Sequence, residues 1–318
     1  MRLIDMHCDT LYECYQKKCG LRSNNGQVDL VSMRNTGALA QFFAIFLPSG
    51  ESAQDDGITL NPYELFHEMR SMYITEIKKN SDLIMPALTY GDILENARNG
   101  KISSLLTIED SALLDGRIER LDELYDNGVR LMTLLWSAEN CLGYPSSSND
   151  LFHSKGLKPF GIEAVKRMNE LGILVDVSHL SEGGFYDVAK HCSKPFVASH
   201  SCARALCNHH RNLTDDQLKC LGEKGGVVGL NFCAAFLAKD SDYSSIDGII
   251  KHIQHMVSIV GSDHVALGSD FDGIDCRLEI ADYSHYGKLI EQLERTYPGG
   301  IVENICYKNA LRVLKECL

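Results

Sequence analysis

The chain has 318 residues, with 43 acidic and 31 basic side chains and a formal net charge of −12. That balance excludes a protein that grips the nucleic-acid backbone, which needs surplus cations. Apolar runs such as Ala38 to Leu47 fall well short of the roughly 20 residues needed to span a bilayer, and the opening Met1-Arg2-Leu3-Ile4-Asp5-Met6-His7 holds no apolar signal core, so a cytoplasmic protein without membrane or nucleic-acid partners is expected.

Eight short apolar runs follow one another: Arg2–Met6, Leu39–Leu47, Ile102–Ile108, Val129–Leu135, Ile173–Val177, Phe196–Ser199, Val227–Phe232 and Val265–Ser269. Most are unbroken, the pattern of parallel strands buried on both faces. Between and after them the pattern turns helical. Tyr63–Lys79 carries Leu65, Met69, Met72, Tyr73 and Ile77 on one stripe. Further helices are expected over Ile118–Asn127, Phe160–Leu171, Gly183–His191, Asp215–Lys224, Ile246–Val260, Tyr283–Glu294 and Ile301–Glu316. Thr214 with Gln217 forms a capping box, and Ser181 caps the helix that follows it. Repeated strand–helix units with no linker-like tract predict an α/β fold, a (β/α)8 barrel of the TIM type, as one domain over residues 1–318. An open, doubly wound sheet is the structural alternative. The twelve cysteines are scattered from Cys8 to Cys317 without a Cys-x-x-Cys pair; reduced, mostly buried thiols are expected rather than a disulfide framework.

In such a barrel the polar residues at the carboxyl ends of strands carry function. The first run ends in His7-Cys8-Asp9, the third in Glu109-Asp110, the fifth in Asp176-Val177-Ser178-His179, the sixth in Ser199-His200 and the eighth in Ser269-Asp270-Phe271-Asp272-Gly273. Alternation along a strand sends His7 and Asp9 to one face and Cys8 to the other. Each ending alone is unremarkable, because a lone histidine is more often a hydrogen-bonded core or surface residue and a carboxylate there often only caps the next helix. Three histidines and three carboxylates converging on one mouth suit two divalent ions, with one carboxylate such as Glu109 between them. A pair of ions can activate water and clamp a substrate oxygen, and a carboxylate outside the coordination sphere can move the proton. The residues read as a metal-assisted hydrolase of open substrate.

Taken together, Ile4-Asp5-Met6-His7-Cys8-Asp9-Thr10, Ile108-Glu109, Asp176-Val177-Ser178-His179, Ala198-Ser199-His200-Ser201, His210-Arg211-Asn212-Leu213 and Gly268-Ser269-Asp270-Phe271-Asp272-Gly273 resemble the membrane dipeptidase (renal dipeptidase) family of zinc metallopeptidases. The similarity runs from residue 2 to Asn309-Ala310-Leu311-Arg312-Val313-Leu314, essentially the whole chain. The resemblance implies an amidohydrolase-like barrel with two Zn2+ ions that hydrolyses dipeptides, with tolerance of D-residues at the carboxyl end. It implies that His7 and Asp9 hold one ion, His179 and His200 the other, and that Glu109 bridges them. It makes Asp270 the acid/base carboxylate and Arg211 the clamp for the substrate carboxylate, a task suited to a planar guanidinium. A homodimer of the soluble bacterial type is also implied. One position departs: mammalian members carry a histidine after the fourth strand, where this chain has Trp136, its only tryptophan. Trp136 is therefore expected to shape the substrate pocket. Cyclic-amide hydrolases and nucleobase deaminases are rival readings, but they mostly use His-x-His on strand one and often a lysine on strand four, and this chain has His7-x-Asp9 and no lysine between Val129 and Glu139. A non-catalytic metal-binding barrel would need neither Asp270 nor Arg211.

Overall fold

The computed structural model describes residues 1–48 and 51–318. Eight strands form the sheet expected from the sequence: β1 (Leu3–Cys8), β2 (Ala38–Phe46), β3 (Ile102–Glu109), β4 (Val129–Thr133), β5 (Leu174–Asp176), β6 (Val197–Ser201), β7 (Val227–Leu230) and β8 (Val265–Leu267). All neighbouring pairs are parallel, and β8 pairs with β1, so the sheet closes into a barrel and the open-sheet alternative falls away. A short strand, Ile84–Pro86, lies along the start of β3. Several strands stop before the apolar runs do, and the chain then turns away carrying the polar residues of the mouth.

All eight expected helices are present within a few residues, and the Thr214 and Ser181 caps form as expected. Two differ in shape. The segment from Tyr283 begins as a 3-10 turn before the helix Tyr286–Thr296. The run Ile301–Glu316 is interrupted by a π-helical turn at Asn304–Lys308. The wide turn precedes Asn309, whose amide donates to the carbonyls of Ser262 (2.7 Å) and Val265 (2.8 Å) and ties the helix to the foot of β8. Helices at Thr10–Lys17, Leu30–Thr36 and Tyr90–Arg98 were not foreseen. The first and second are only two turns long and bury few residues, so no stripe announces them. The third carries a Thr89–Asp92 capping box that its weak apolar pattern hides.

Two apolar layers hold the barrel. Ile4, Met6, Phe42, Leu105, Leu131, Leu174, Val197 and Val227 fill the interior, and Ala310, Val313 and Leu314 pack into the same cluster. The alternate residues Leu3, Phe43, Leu106, Met132, Val175 and Val228 pack into the larger cluster shared with the surrounding helices. All twelve cysteines are free thiols, seven of them buried, as the scatter implied.

At the mouth, β6, β7 and β8 approach closely. A Cβ on Gly268 would lie 1.8 Å from the Ser199 carbonyl oxygen, a backbone atom that cannot swing away. Gly268→Ala is therefore expected to destabilise the protein by about 2–3 kcal/mol, in the range of overpacked interiors. Gly287→Ala, in the helix Tyr286–Thr296 with nothing within 4 Å of the new methyl, should be neutral or raise stability by up to about 1 kcal/mol. Thermal and urea melts of the two variants, side by side, check both signs.

Candidate active site

The strand ends bring the expected residues together. His7 Nε2 lies 3.2 Å from Asp9 Oδ2, 3.4 Å from Glu109 Oε2 and 3.7 Å from Asp270 Oδ1. On the other side of the same glutamate, Oε1 sits 2.9 Å from His179 Nε2 and 3.5 Å from His200 Nε2. Those two ring nitrogens are 2.9 Å apart. Glu109 thus turns one oxygen to each group. His7, Asp9, Glu109, His200 and Asp270 are buried, and His179 is half-buried at the edge. Two triads, His7–Glu109–His200 and His7–Asp9–Asp270, each hold one donor atom per residue within 4.8 Å of one another. Asp270 is therefore near enough to be a ligand as well as a proton carrier.

Alternation alone does not produce this convergence. Ile4 and Met6 face the barrel interior, and Asp5 accepts from Tyr286 on an outer helix, so a regular strand would aim His7 outward with Asp5. A register irregularity between Asp5 and Cys8 turns it inward. Cys8 goes the other way, its Sγ donating to the carbonyl of Phe42. In β6 a second irregularity, between Ala198 and Ser201, accompanies the inward turn of His200. His179, Asp270 and Asp272 have φ of 68°, 65° and 65°, a left-handed conformation that costs a non-glycine residue about 1–3 kcal/mol and persists where neighbours enforce it.

Those neighbours include two fully buried aspartates. Asp5 accepts from Ser269 N (2.9 Å), Ser269 Oγ (2.6 Å) and Tyr286 Oη (2.8 Å), fixing the residue before Asp270. Asp176 accepts from Ser178 N (3.0 Å), Ser199 N (2.9 Å) and Thr133 Oγ1 (2.7 Å), and Ser199 Oγ lies 2.8 Å from His200 Nδ1. Asp272 accepts from Thr10 Oγ1 and from the backbone N–H of Gln27, both at 2.6 Å, and so latches the β8 loop to the loop after β1.

The electrostatics are those of a site built for positive charge. Burial opposes a charge on His7, yet Asp9 and Glu109 lift it well above the usual histidine range. Burial, reinforced by Glu109 and Asp270 against the pull of His7, pushes Asp9 up to about 7. Burial and the charge on His7 hold His200 well below the histidine range. Burial likewise raises Asp270, partly offset by His7. His7 Nδ1 and Asp9 Oδ1 have no hydrogen-bond partner among the described residues. Two imidazole nitrogens facing each other and one carboxylate oxygen have more lone pairs than protons to share. This donor set, all imidazole and carboxylate, fits divalent ions of the zinc, iron or manganese kind.

Above this floor opens a cavity of about 360 Å3. Its aromatic wall runs Tyr12–Phe46–Trp136, edge to face at 5.1 and 4.7 Å, and the Trp136 ring lies 6.5 Å from that of His179. Trp136 is thus in the pocket wall, as expected. Arg211 is buried beneath Phe236, its guanidinium 5.4 Å from that ring. Its Nη2 donates to the His200 carbonyl at 3.3 Å, and its Nε has no partner among the described residues. Sequence reading missed Asn231, whose amide donates to Asp270 at 2.7 Å, along with Tyr12, Phe46 and Phe236. The aromatic residues looked like ordinary core, and Asn231 sits inside an apolar run.

A closed parallel barrel with a buried histidine–carboxylate centre at its carboxyl mouth defines a metal-dependent hydrolase. The profile of the membrane dipeptidase family (peptidase family M19) matches residues 1–317, and the chain belongs to that family. A Klebsiella pneumoniae protein encoded beside pqqA is 36% identical over 267 residues, covering 80% of this chain and 97% of its own. A Claviceps purpurea dipeptidase is 30% identical, covering 92% of this chain and 69% of its own. A Rhodobacter sphaeroides metallopeptidase, solved with a phosphinate mimic of the dipeptide L-Ala-D-Ala, superposes with a TM-score of 0.90 at 25% identity, covering 100% of this chain and 99% of that one. A metallopeptidase of the same family, dipeptidase AC, gives a TM-score of 0.88 at 26% identity, covering 100% of this chain and 98% of that one.

Gly273 keeps the floor open, since a Cβ there would lie 2.1 Å from Asp9 Oδ2 and 3.0 Å from Asp270 Oδ1. Gly273→Ala is expected to displace Asp9 and weaken divalent-metal binding by about tenfold or more, the scale of a disturbed ligand environment. Competition with a chromogenic chelator reads the affinity, and circular dichroism shows whether the fold survives.

Proposed function

We propose that the chain, acting as one catalytic unit over residues 1–318, hydrolyses dipeptides with two zinc ions held by His7, Asp9, Glu109, His179 and His200. In this reading His7 and Asp9 would hold one ion, His179 and His200 the other, and Glu109 would be shared by both. When bound, the ions supply Lewis acidity that lowers the pKa of water and polarises a carbonyl oxygen. The chain's own residues do the rest. Arg211 takes the substrate's terminal carboxylate and sets the distance from that end to the scissile bond. Asp270 accepts a proton from the attacking water and returns it to the leaving amine. Trp136, with Phe46 and Tyr12, forms an aromatic wall of the cavity and limits water there.

The observation that carries the reading is Arg211. A buried cation normally has an acidic partner, yet this guanidinium has an unpaired Nε and, among the described residues, one side-chain hydrogen bond, to a carbonyl. Its position beside His200 supports a role in holding an anion brought by the substrate. Recognition through a carboxylate rather than a side-chain pocket supports tolerance of D-residues at the carboxyl end.

Two measurements test this. Protein purified without chelators and supplied with zinc should bind close to two ions per chain, and Glu109→Gln should weaken both, because one carboxylate serves both positions. Elemental analysis of the two proteins decides it; a zinc-supplied native protein holding no metal would overturn the ligand set. Second, Arg211→Met should cost about 1.5–3 kcal/mol, roughly ten- to a hundred-fold in kcat/KM, on free dipeptides. On the same dipeptides with a carboxyl-terminal amide, which offers no anion, it should cost far less. Equal losses on both substrates, in a variant that keeps its metals, would make Arg211 a structural cation.

A further inference from the structure

Asn231 lies one residue past β7, is completely buried, and is stitched to both neighbouring strands that feed the site. Its backbone N–H donates to the carbonyl of Ser201, next to His200, and its carbonyl accepts from Cys202 Sγ. The following N–H, of Phe232, donates to the carbonyl of Ser269, the residue before Asp270. The side chain has only one way round. Its Oδ1 accepts from the backbone N–H of Cys233 at 2.6 Å, a partner that only an acceptor satisfies. Its Nδ2 must then face Asp270, and it donates to Oδ2 at 2.7 Å.

That orientation differentiates the two oxygens of Asp270. A proton on Oδ2 would point into an N–H donor, so Oδ2 stays an acceptor. The other oxygen, Oδ1, is turned toward His7 Nε2 at 3.7 Å, and Asp270 is among the residues that line the cavity. We propose that Asn231 is a positioning residue that reserves Oδ2 and confines the proton carried by Asp270 to Oδ1, the oxygen facing the scissile bond. The step balances within the reaction. Water gives one proton to Oδ1 as its oxygen bonds to the carbonyl carbon, and Oδ1 returns that proton to the amide nitrogen as the C–N bond breaks. Asp270 ends as it began. The same Asn231 side chain holds the N–H of Cys233, which caps the short helix Ala234–Leu237 that carries Phe236. This inference rests on the dipeptidase reading.

The test uses the zinc-loaded full chain with alanyl-alanine and its ester counterpart, alanyl-lactate. An alkoxide leaves an ester with far less help from a proton than an amine leaves an amide. Asn231→Asp keeps the acceptor for Cys233 N–H and the shape but replaces the donor facing Oδ2 with a second carboxylate. It should lower kcat on the dipeptide roughly ten- to a hundred-fold, short of the ~10²–10⁴-fold attached to losing an acid/base outright. KM should stay within about twofold, and the loss on the ester should be at least fivefold smaller. Asn231→Ala, which removes both hydrogen bonds, should show the same amide-over-ester bias. Crystal structures of the variants give a readout apart from turnover: the Asp270 carboxylate should rotate once its Oδ2 partner is gone. Equal losses on amide and ester, or a change in KM alone, or an unmoved Asp270 carboxylate in both variants, would sink the positioning role. Absence of turnover by the unmutated, zinc-loaded protein on both substrates would instead overturn the dipeptidase reading beneath it.

Discussion

Everything at the mouth of this barrel is arranged around the carboxylate of Glu109. It is 3% exposed and faces three imidazoles, His7 with one oxygen and His179 and His200 with the other. Burial alone would keep it protonated, but His7, then the hydrogen bonds from His179 and His200, drive it well below the usual carboxylate range. A buried anion is tolerated only with partners this close. Each partner, in turn, loses a compensating charge if Glu109 is neutralised. The charges of the site are therefore coupled, each depending on its neighbours.

Holding such a set in place falls to residues that touch neither substrate nor metal. Asp5 and Asp176 are both fully buried, and their oxygens are taken up by serine, threonine and tyrosine hydroxyls and backbone N–H groups from adjacent strands. Asp5 joins β1 to the segment after β8, and Asp176 joins β4, β5 and β6. Satisfied networks of this kind rigidify, whereas partly satisfied ones destabilise. They also keep His179 and Asp270 at positive φ, where an isolated turn would relax.

The barrel was legible in the sequence because strands buried on both faces must be apolar throughout, and eight such runs stood out. The residues that meet at the mouth were legible because histidine and carboxylate at the ends of those runs break an otherwise apolar pattern. Their aim was not. Strict alternation from Ile4 and Met6 points His7 out of the barrel, and only the irregularity in β1 reverses it; no residue in Asp5-Met6-His7-Cys8 advertises that slip. The short helices at Thr10–Lys17 and Leu30–Thr36 escaped for a related reason, since two turns are too few for a stripe to repeat. Asn231 was hidden by its company: between Leu230 and Phe232 it reads as a lapse in a strand, and its meaning depends on Asp270, 39 residues away.

The way the barrel closes bears on how the protein is made. β2 and β3 pair over seven residues, from Ala40 to Phe46, while β1 meets β8 at Asp5 and Leu267, with one further bridge beyond the strand at Cys8 and Phe271. The strongest ladder therefore joins segments synthesised early, and the seam joins the two ends of the barrel, with Asp5 and Ser269 separated by 264 positions. Contacts of such long range form late, because the chain must first surrender the entropy of the intervening loop. During synthesis at about 5–20 residues per second, His7, Asp9 and Glu109 emerge well before His200 and Asp270 exist. A nascent chain can present only part of this cluster. Because His7 and Asp9 stand on one side of the seam and Asp270 on the other, the buried cluster at the mouth is completed only when the first and last strands have met.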